Sequence, residues 1–252
     1  MRADVGELMR DIARSALVPV MWAWVLAQSL EVRAFPIPAD SPHAYASGID
    51  PIRVLLFGSG PAVGRGVVSH SLALPGALAR TLSARTRRGV EVDLVSESWL
   101  TSGAAARRFA ALELSQYDAV VVFVGVDDAL SLVSLSRWRR NVSAMLSAAF
   151  RTAAASARVY FVGVQPIRSL PVFDSALGTV ADRHAIAMNG RTEEECARWP
   201  RATFIRFRDA DRAPSMRFRD APAYTRIAQL LADSMQSQLP DRNSAVIRSG
   251  PS

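Results

Sequence analysis

Short apolar runs alternate with longer amphipathic segments along the chain from residue 52 onward. The runs are rich in β-branched residues, and continuous ones such as AVVVFVGV indicate strands that are covered on both faces. The pattern predicts five strands, near residues 53–57, 90–96, 119–124, 158–164 and 203–207. Five helices are expected near residues 71–87, 104–114, 136–154, 173–197 and 221–238. We therefore predict an α/β fold, a three-layer αβα sandwich with a five-stranded parallel sheet, in which ligands bind beyond the carboxyl ends of the strands.

The first 35 residues form a separate pattern, with mixed charges up to Arg14 and an uncharged apolar run over residues 15–30. Pro19 is expected to interrupt this helix. At about 1.5 Å per residue the run reaches about 24 Å, which is less than the hydrocarbon core of about 30 Å. A helix that packs on the domain or lies at a membrane interface, where Trp22 and Trp24 would fit, is favoured over a spanning anchor or an uncleaved export signal.

The remaining chain divides by composition. Residues 36–50 contain three prolines and a glycine, which predicts a loop-like tether. Residues 51–239 carry the alternating pattern and form the predicted domain. Residues 240–252 are polar and predict a disordered tail.

The net charge is +7, and every one of the 30 basic residues is arginine. The arginines are spread over separate predicted helix ends and loops rather than on one basic face, so no nucleic-acid partner is expected. The single cysteine, Cys196, excludes an intramolecular disulfide and is expected to be an inert thiol. Three scattered histidines and no paired cysteines predict neither a metal site nor a cofactor.

A glycine-rich turn follows the first predicted strand and reads Gly58, Ser59, Gly60, Pro61, Ala62, Val63, Gly64. It resembles block I of the SGNH/GDSL hydrolase superfamily, Gly-Asp-Ser-x-x-x-Gly. Ser59 stands at the aspartate position and Gly60 stands at the position of the nucleophilic serine.

Later segments extend this resemblance. The run from Gly125 to Asp128 resembles block III, Gly-x-Asn-Asp, with Asp127 at the position of the oxyanion-binding asparagine. Gly103 stands where block II carries its oxyanion glycine. The helix RWRRNVSAML is similar to one found in actinobacterial members. Block V, Asp-x-x-His, is degenerate, because the alignment puts Ser215 and Phe218 at its two positions.

The resemblance implies the flavodoxin-like fold of an SGNH acyl ester hydrolase without its serine, histidine and aspartate. We therefore expect a non-catalytic ligand-binding or regulatory relative that binds an acyl ester or a glycan-like ligand, cytoplasmic or peripheral at the membrane. Whether the chain is an enzyme is left open at this point. Asp127 either favours a cationic or hydroxyl-rich ligand or caps the segment that follows it.

Three alternatives stay open on the sequence alone. The chain is a weak esterase that uses Ser59, for which His70 is a distant candidate base and His184 a weaker one. It is a structural protein that docks through its N-terminal helix on a membrane or a partner. Or FGSGPAVGRG is a dinucleotide-binding turn, although the acidic residue expected about 20 positions later is missing.

Overall fold

One six-stranded sheet organises the protein. The structure is a computed structural model that describes residues 2–207 and 220–239. The strands are β1 His43–Ala46, β2 Ile52–Gly58, β3 Val90–Ser96, β4 Ala119–Phe123, β5 Arg158–Val162 and β6 Ala202–Ile205. Their order in the sheet is β1-β3-β2-β4-β5-β6, and the strands from β2 to β6 pair in parallel. The parallel part has the flavodoxin order, which confirms the predicted fold class.

The first strand corrects the prediction of five strands. β1 lies inside the segment 36–50 that the prolines predict to be a loop, and it pairs antiparallel with β3 at the edge of the sheet. His43 stands opposite Asp93, and its Nδ1 lies 2.7 Å from the Asp93 Oδ1. The strand is only four residues long and depends on a partner about 50 residues away, so local composition does not reveal it.

Helices cover both faces of the sheet. They are α1 Arg2–Arg33, α2 Leu74–Thr86, α3 Ser102–Phe109, α4 Val126–Leu130, α5 Leu135–Thr152, α6 Ala176–Cys196 and α7 Ala221–Met235. One core forms where α2 and α7 pack on the sheet, and the other forms on the opposite face beneath α1, α3, α5 and α6. These two cores complete the three layers.

The N-terminal helix α1 packs on the domain. Met21 is fully buried and Val25 nearly so, both within the larger core, and the Trp24 ring meets the Phe173 ring edge-on at 5.4 Å between centroids. The expectation that Pro19 interrupts the helix was wrong. Pro19 lies on the exposed side, where the hydrogen bond that proline cannot donate would have faced solvent.

The apolar part of α1 is longer than the uncharged run of residues 15–30. Its part from Arg14 to Arg33 is long and apolar enough, by length and composition alone, to cross a membrane. Most of this segment is exposed in the structure. The packing of Met21 and Val25 shows that one side of it is nevertheless part of the folded domain.

The turn after β2 is held against β4. Gly58 has φ +137°, and a Cβ at this position would stand 1.8 Å from the Phe123 carbonyl oxygen. The Ser59 N–H donates to that same oxygen at 2.7 Å. Only glycine permits this close approach of the two backbones, and the approach fixes the turn at the carboxyl edge of the sheet.

Candidate functional site

A cavity of about 300 Å³ opens at the carboxyl edge of the parallel strands, where this fold class binds ligands. The turn after β2, the loops after β3 and β4, the segment 170–173 and the last turn of α1 form its walls. Its lining residues are Glu31, Val32, Phe35, Gly60, Val63, Arg65, Ser98, Trp99, Val126, Asp127, Leu130, Leu170, Pro171, Val172 and Phe173. Most of these side chains are apolar.

Gly60 faces this cavity from the start of a 3-10 turn, Gly60–Val63. Its φ of +62° lies in the left-handed region that favours glycine. A Cβ at Gly60 would meet only the Val126 Cγ2, at 3.5 Å. Gly60, which the resemblance to block I aligns with the nucleophilic serine, therefore borders the cavity, and it supplies backbone without a side-chain oxygen.

Ser59 faces elsewhere. Its hydroxyl is buried and borders a separate space of about 10 Å³, together with Pro61, Val162 and Gln165. Among the residues that the structure describes, the Ser59 Oγ has no hydrogen-bond partner. The candidate nucleophile and Gly60 thus border different cavities, as the one-residue offset between them leads one to expect.

Asp127 and Asp128, at the start of α4, accept hydrogen bonds from the segment between β3 and α3. The Asp127 Oδ2 accepts from the Leu100 N–H at 2.7 Å, and Asp127 also borders the cavity. The Asp128 carboxylate accepts from the Ser102 N–H at 2.7 Å and from the Ser102 hydroxyl at 2.6 Å, while Asn141 donates to that hydroxyl. These bonds run to the β3–α3 segment, so the aspartates do not simply cap the helix that contains them.

Burial governs the ionisation of Asp128. Loss of water around its carboxylate raises its pKa to about 6, although the two hydrogen bonds from Ser102 favour the ionised form. A carboxylic acid with this pKa changes charge near pH 6. The change takes place at the contact with Ser102, where the loop after β3 enters α3.

Gly103 does not stand on the cavity. It is the second residue of α3, and a Cβ there would come within 3.7 Å of the Asn141 Nδ2. The loop after β3 instead presents Ser98 and Trp99 to the cavity. Their closeness to the end of β3 could have identified them, because Trp99 follows the last strand residue, Ser96, by only three positions.

All three histidines of the chain are engaged away from the cavity. His43 pairs with Asp93 on the edge strand. His70 is buried, and its Nδ1 lies 2.7 Å from the Oδ1 of Asp40, which also accepts the His70 N–H. The His184 Nε2 lies 2.7 Å from the Val133 carbonyl oxygen, and burial lowers the pKa of its ring. None of the three borders either cavity.

The positions aligned with block V, Ser215 and Phe218, lie outside the described residues. Neither is a histidine, and none occurs between 208 and 219. Within residues 2–207 and 220–239, no three His, Cys, Asp or Glu side chains are grouped so that they could hold a metal ion.

Arg65 lines the cavity and connects its wall to α1 and α7, and sequence reasoning did not identify it. Its guanidinium donates to the Val32 carbonyl oxygen of α1 at 3.3 Å, and its own carbonyl oxygen accepts from the Tyr224 hydroxyl of α7 at 2.7 Å. Arg65 and Glu31 are the oppositely charged side chains at this end of the cavity. The C-terminal end of α1 is therefore part of the site.

Comparison with known proteins decides the family. The model of the GDSL-like lipase/acylhydrolase family matches residues 57–227 of the 252, from the end of β2 to the middle of α7. The chain belongs to this family. The predicted membership of the SGNH/GDSL hydrolase superfamily is thereby confirmed.

Solved structures agree on the fold. A lipase from a goat rumen metagenome has a TM-score of 0.59 at 13% identity, over 73% of this chain and 97% of its own. A lipase/acylhydrolase from Enterococcus faecalis has a TM-score of 0.57 at 17% identity, over 75% and 97%. TesA has a TM-score of 0.56 at 17% identity, over 74% and 99%. No curated protein sequence matches the chain.

Proposed function

We propose that this GDSL-family protein binds an acyl-type ligand in the cavity at the carboxyl edge of the sheet and does not hydrolyse it. The observation that carries the proposal is Gly60, which borders the cavity where the family carries its nucleophilic serine. Acyl transfer by this family's route needs an oxygen nucleophile and a base that accepts its proton. Gly60 supplies no such oxygen.

The second support is the placement of the imidazoles. His43, His70 and His184 are the only histidines in the chain, and each is bonded to a group away from the cavity. Loss of the serine or the histidine alone from a serine hydrolase lowers turnover about 10⁶-fold. Loss of both leaves only background stabilisation by backbone amides.

Asp127 weakens catalysis further. An oxyanion is stabilised by hydrogen-bond donors, such as the amide of the asparagine that the family has at this position. An ionised carboxylate next to the cavity repels a developing negative charge instead. The Asp127 carboxylate also binds the loop after β3, because its Oδ2 accepts a hydrogen bond from the Leu100 N–H.

The walls of the cavity favour an acyl chain over a glycan. Apolar side chains such as Leu130, Leu170 and Val172 offer van der Waals contact to a hydrocarbon but few partners for sugar hydroxyls. Arg65 and Glu31 at the α1 end can orient a polar head group. The volume of about 300 Å³ lies at the lower end of ligand sites, which suits a chain of medium length.

Hydrolysis and binding are measured separately. Purified protein is incubated with p-nitrophenyl butyrate and octanoate, and release of nitrophenol is expected to equal that of a heat-denatured sample. Turnover that Ser59→Ala abolishes would overturn the proposal and establish the esterase alternative.

Binding is followed by the thermal shift with decanoate. Val126→Phe, which places a ring beside Gly60, is expected to lower the affinity about tenfold or more, whereas Val68→Phe at an exposed site is its matched control. Equal affinity in both variants, or no shift with any acyl ligand, contradicts the binding site.

A gain-of-function variant tests the alignment. Gly60→Ser combined with Ser215→Asp and Phe218→His restores the three catalytic residue types at the positions that the resemblance assigns. Recovered turnover would show that the cavity still accepts an ester in the family's orientation. Gly60→Ser alone is expected to stay inactive, because no imidazole stands near it.

A further inference from the structure

The outer side of α1 is apolar although it faces solvent. Nine positions between Ser15 and Ala27 are exposed, and none of them carries a charge. They are Ser15, Ala16, Leu17, Pro19, Val20, Trp22, Ala23, Leu26 and Ala27. A helix on the surface of a soluble domain normally turns a polar face to water, so this face is built for an apolar environment.

The exposed apolar surface continues from the helix to the mouth of the cavity. The Trp22 ring contacts the Trp99 ring, with 6.2 Å between their centroids. Trp99 and Phe35 are both more than 40% exposed, and both also line the cavity. One surface therefore runs from Leu17 across the two tryptophans into the cavity.

We propose that this surface, the outer side of α1 with Trp22, Trp99 and Phe35, docks in the plane of an anionic lipid bilayer and places the cavity mouth at the lipid. Tryptophan is favoured at the boundary between hydrocarbon and head groups. Leu17, Val20 and Leu26 would enter the acyl region, as the apolar side of an interfacial helix does.

Charge favours an anionic bilayer as the occupant. The chain carries a net charge of +7, which attracts it to a negative lipid surface. Arg33 is exposed in the last turn of α1, two residues after the exposed Glu31, and its side chain can reach lipid phosphates. A second copy of the chain would instead bring like net charges together.

The buried side of α1 separates this mode from a membrane span. Met21 and Val25 belong to the core of the domain. The Arg65 side chain donates to the Val32 carbonyl oxygen of α1, and the Arg14 side chain of α1 donates to the Leu132 carbonyl oxygen. A spanning α1 would have to leave all these contacts and remove one wall of the cavity. Docking in the plane keeps every one of them.

The experiment is vesicle flotation with the full chain. Vesicles of phosphatidylcholine with phosphatidylglycerol are compared with phosphatidylcholine alone, and the variant is Leu26→Glu. Leu26 is 70% exposed, so the variant is expected to fold, which circular dichroism and thermal unfolding check. Ile186→Glu is the matched control, because Ile186 is an apolar residue of similar exposure, 62%, on α6.

The wild type and Ile186→Glu are expected to float with the anionic vesicles, and Leu26→Glu is expected to bind about tenfold more weakly or worse. Equal flotation of the two variants, or failure of the wild type to bind, overturns the proposal. Resistance of bound protein to alkaline carbonate would indicate a span, and a solution dimer that Leu26→Glu separates would indicate a second copy; either result also overturns it. The outcome does not depend on whether the cavity hydrolyses esters.

Discussion

Met21→Ala tests whether α1 is part of the folded domain. Met21 is fully buried in the larger core, although it lies in a segment that could pass for a membrane span. Truncation of a fully buried methionine removes its transfer free energy and leaves a cavity. If α1 packs as described, the free energy of unfolding falls by about 2–5 kcal/mol.

The size of the loss depends on how α1 unfolds. If it separates before the rest of the domain, the loss cannot exceed the free energy with which α1 is docked. A loss of about 3 kcal/mol in a cooperative transition lowers the midpoint of thermal unfolding by roughly 6–12 °C in a domain of this size. Urea denaturation followed by circular dichroism gives the free energy, and the fluorescence of the five tryptophans, among them Trp24 at the α1 contact, follows the loss of packing.

Leu17→Ala is the control on the same helix, because Leu17 is exposed to solvent. Its free energy of unfolding is expected to stay within about 0.5 kcal/mol of the wild type. If Met21→Ala were as mild as Leu17→Ala, α1 would not be packed on the sheet. The account of the cavity wall would then be wrong.

Three further predictions concern single residues. In the folded protein the pKa of the Asp128 carboxyl is about 6, against an ordinary value of 3.8. The folded state therefore binds this proton more tightly than the unfolded state, and the free energy of unfolding should fall by up to about 3 kcal/mol as the pH rises from about 4 to 6. Urea titrations at several pH values should find this fall missing in Asp128→Asn; the same pH dependence in both proteins would contradict it. Gly58→Ala should cost more than about 3 kcal/mol in urea denaturation because its Cβ would overlap the Phe123 carbonyl, whereas Gly190→Ala, with open space around it, should be neutral or stabilising; equal costs would refute the close approach. Burial raises the pKa of the Cys196 thiol to about 12, so Ellman's reagent at pH 8 should react with it only after unfolding, and rapid reaction of native protein would contradict its burial.

The sheet and its helices were predictable because their signals are local. β4 is a continuous apolar run, β3 alternates apolar and acidic residues, and each strand therefore carries a signal of its own, as do the longer helices between the parallel strands. β1 was missed because its four residues are held by pairing with β3 and by the His43–Asp93 contact. The path of α1 through Pro19 was missed because it depends on packing on the domain, which no local pattern records.

The site was predictable only where a backbone constraint fixed it. Gly60 and Asp127 both border the cavity, since each follows the end of a central strand at a short, fixed distance. Gly103, the oxyanion glycine that the resemblance implies, lies on α3 outside the cavity lining, because the loop after β3 is longer and spacing does not tell which of its residues turns inward. Arg65 and the last turn of α1 could not be assigned, because their roles arise from contacts with segments distant in the chain.

A fluorophosphonate probe tests the central claim most directly, because it forms a covalent bond with a serine only where that serine is activated as a nucleophile. Intact-mass measurement after incubation with the full chain is expected to show no added mass, both in the wild type and in Gly60→Ser. A stoichiometric adduct that peptide mapping places on Ser59, or on Ser98 at the cavity, would contradict the claim that this GDSL-family site binds without hydrolysing.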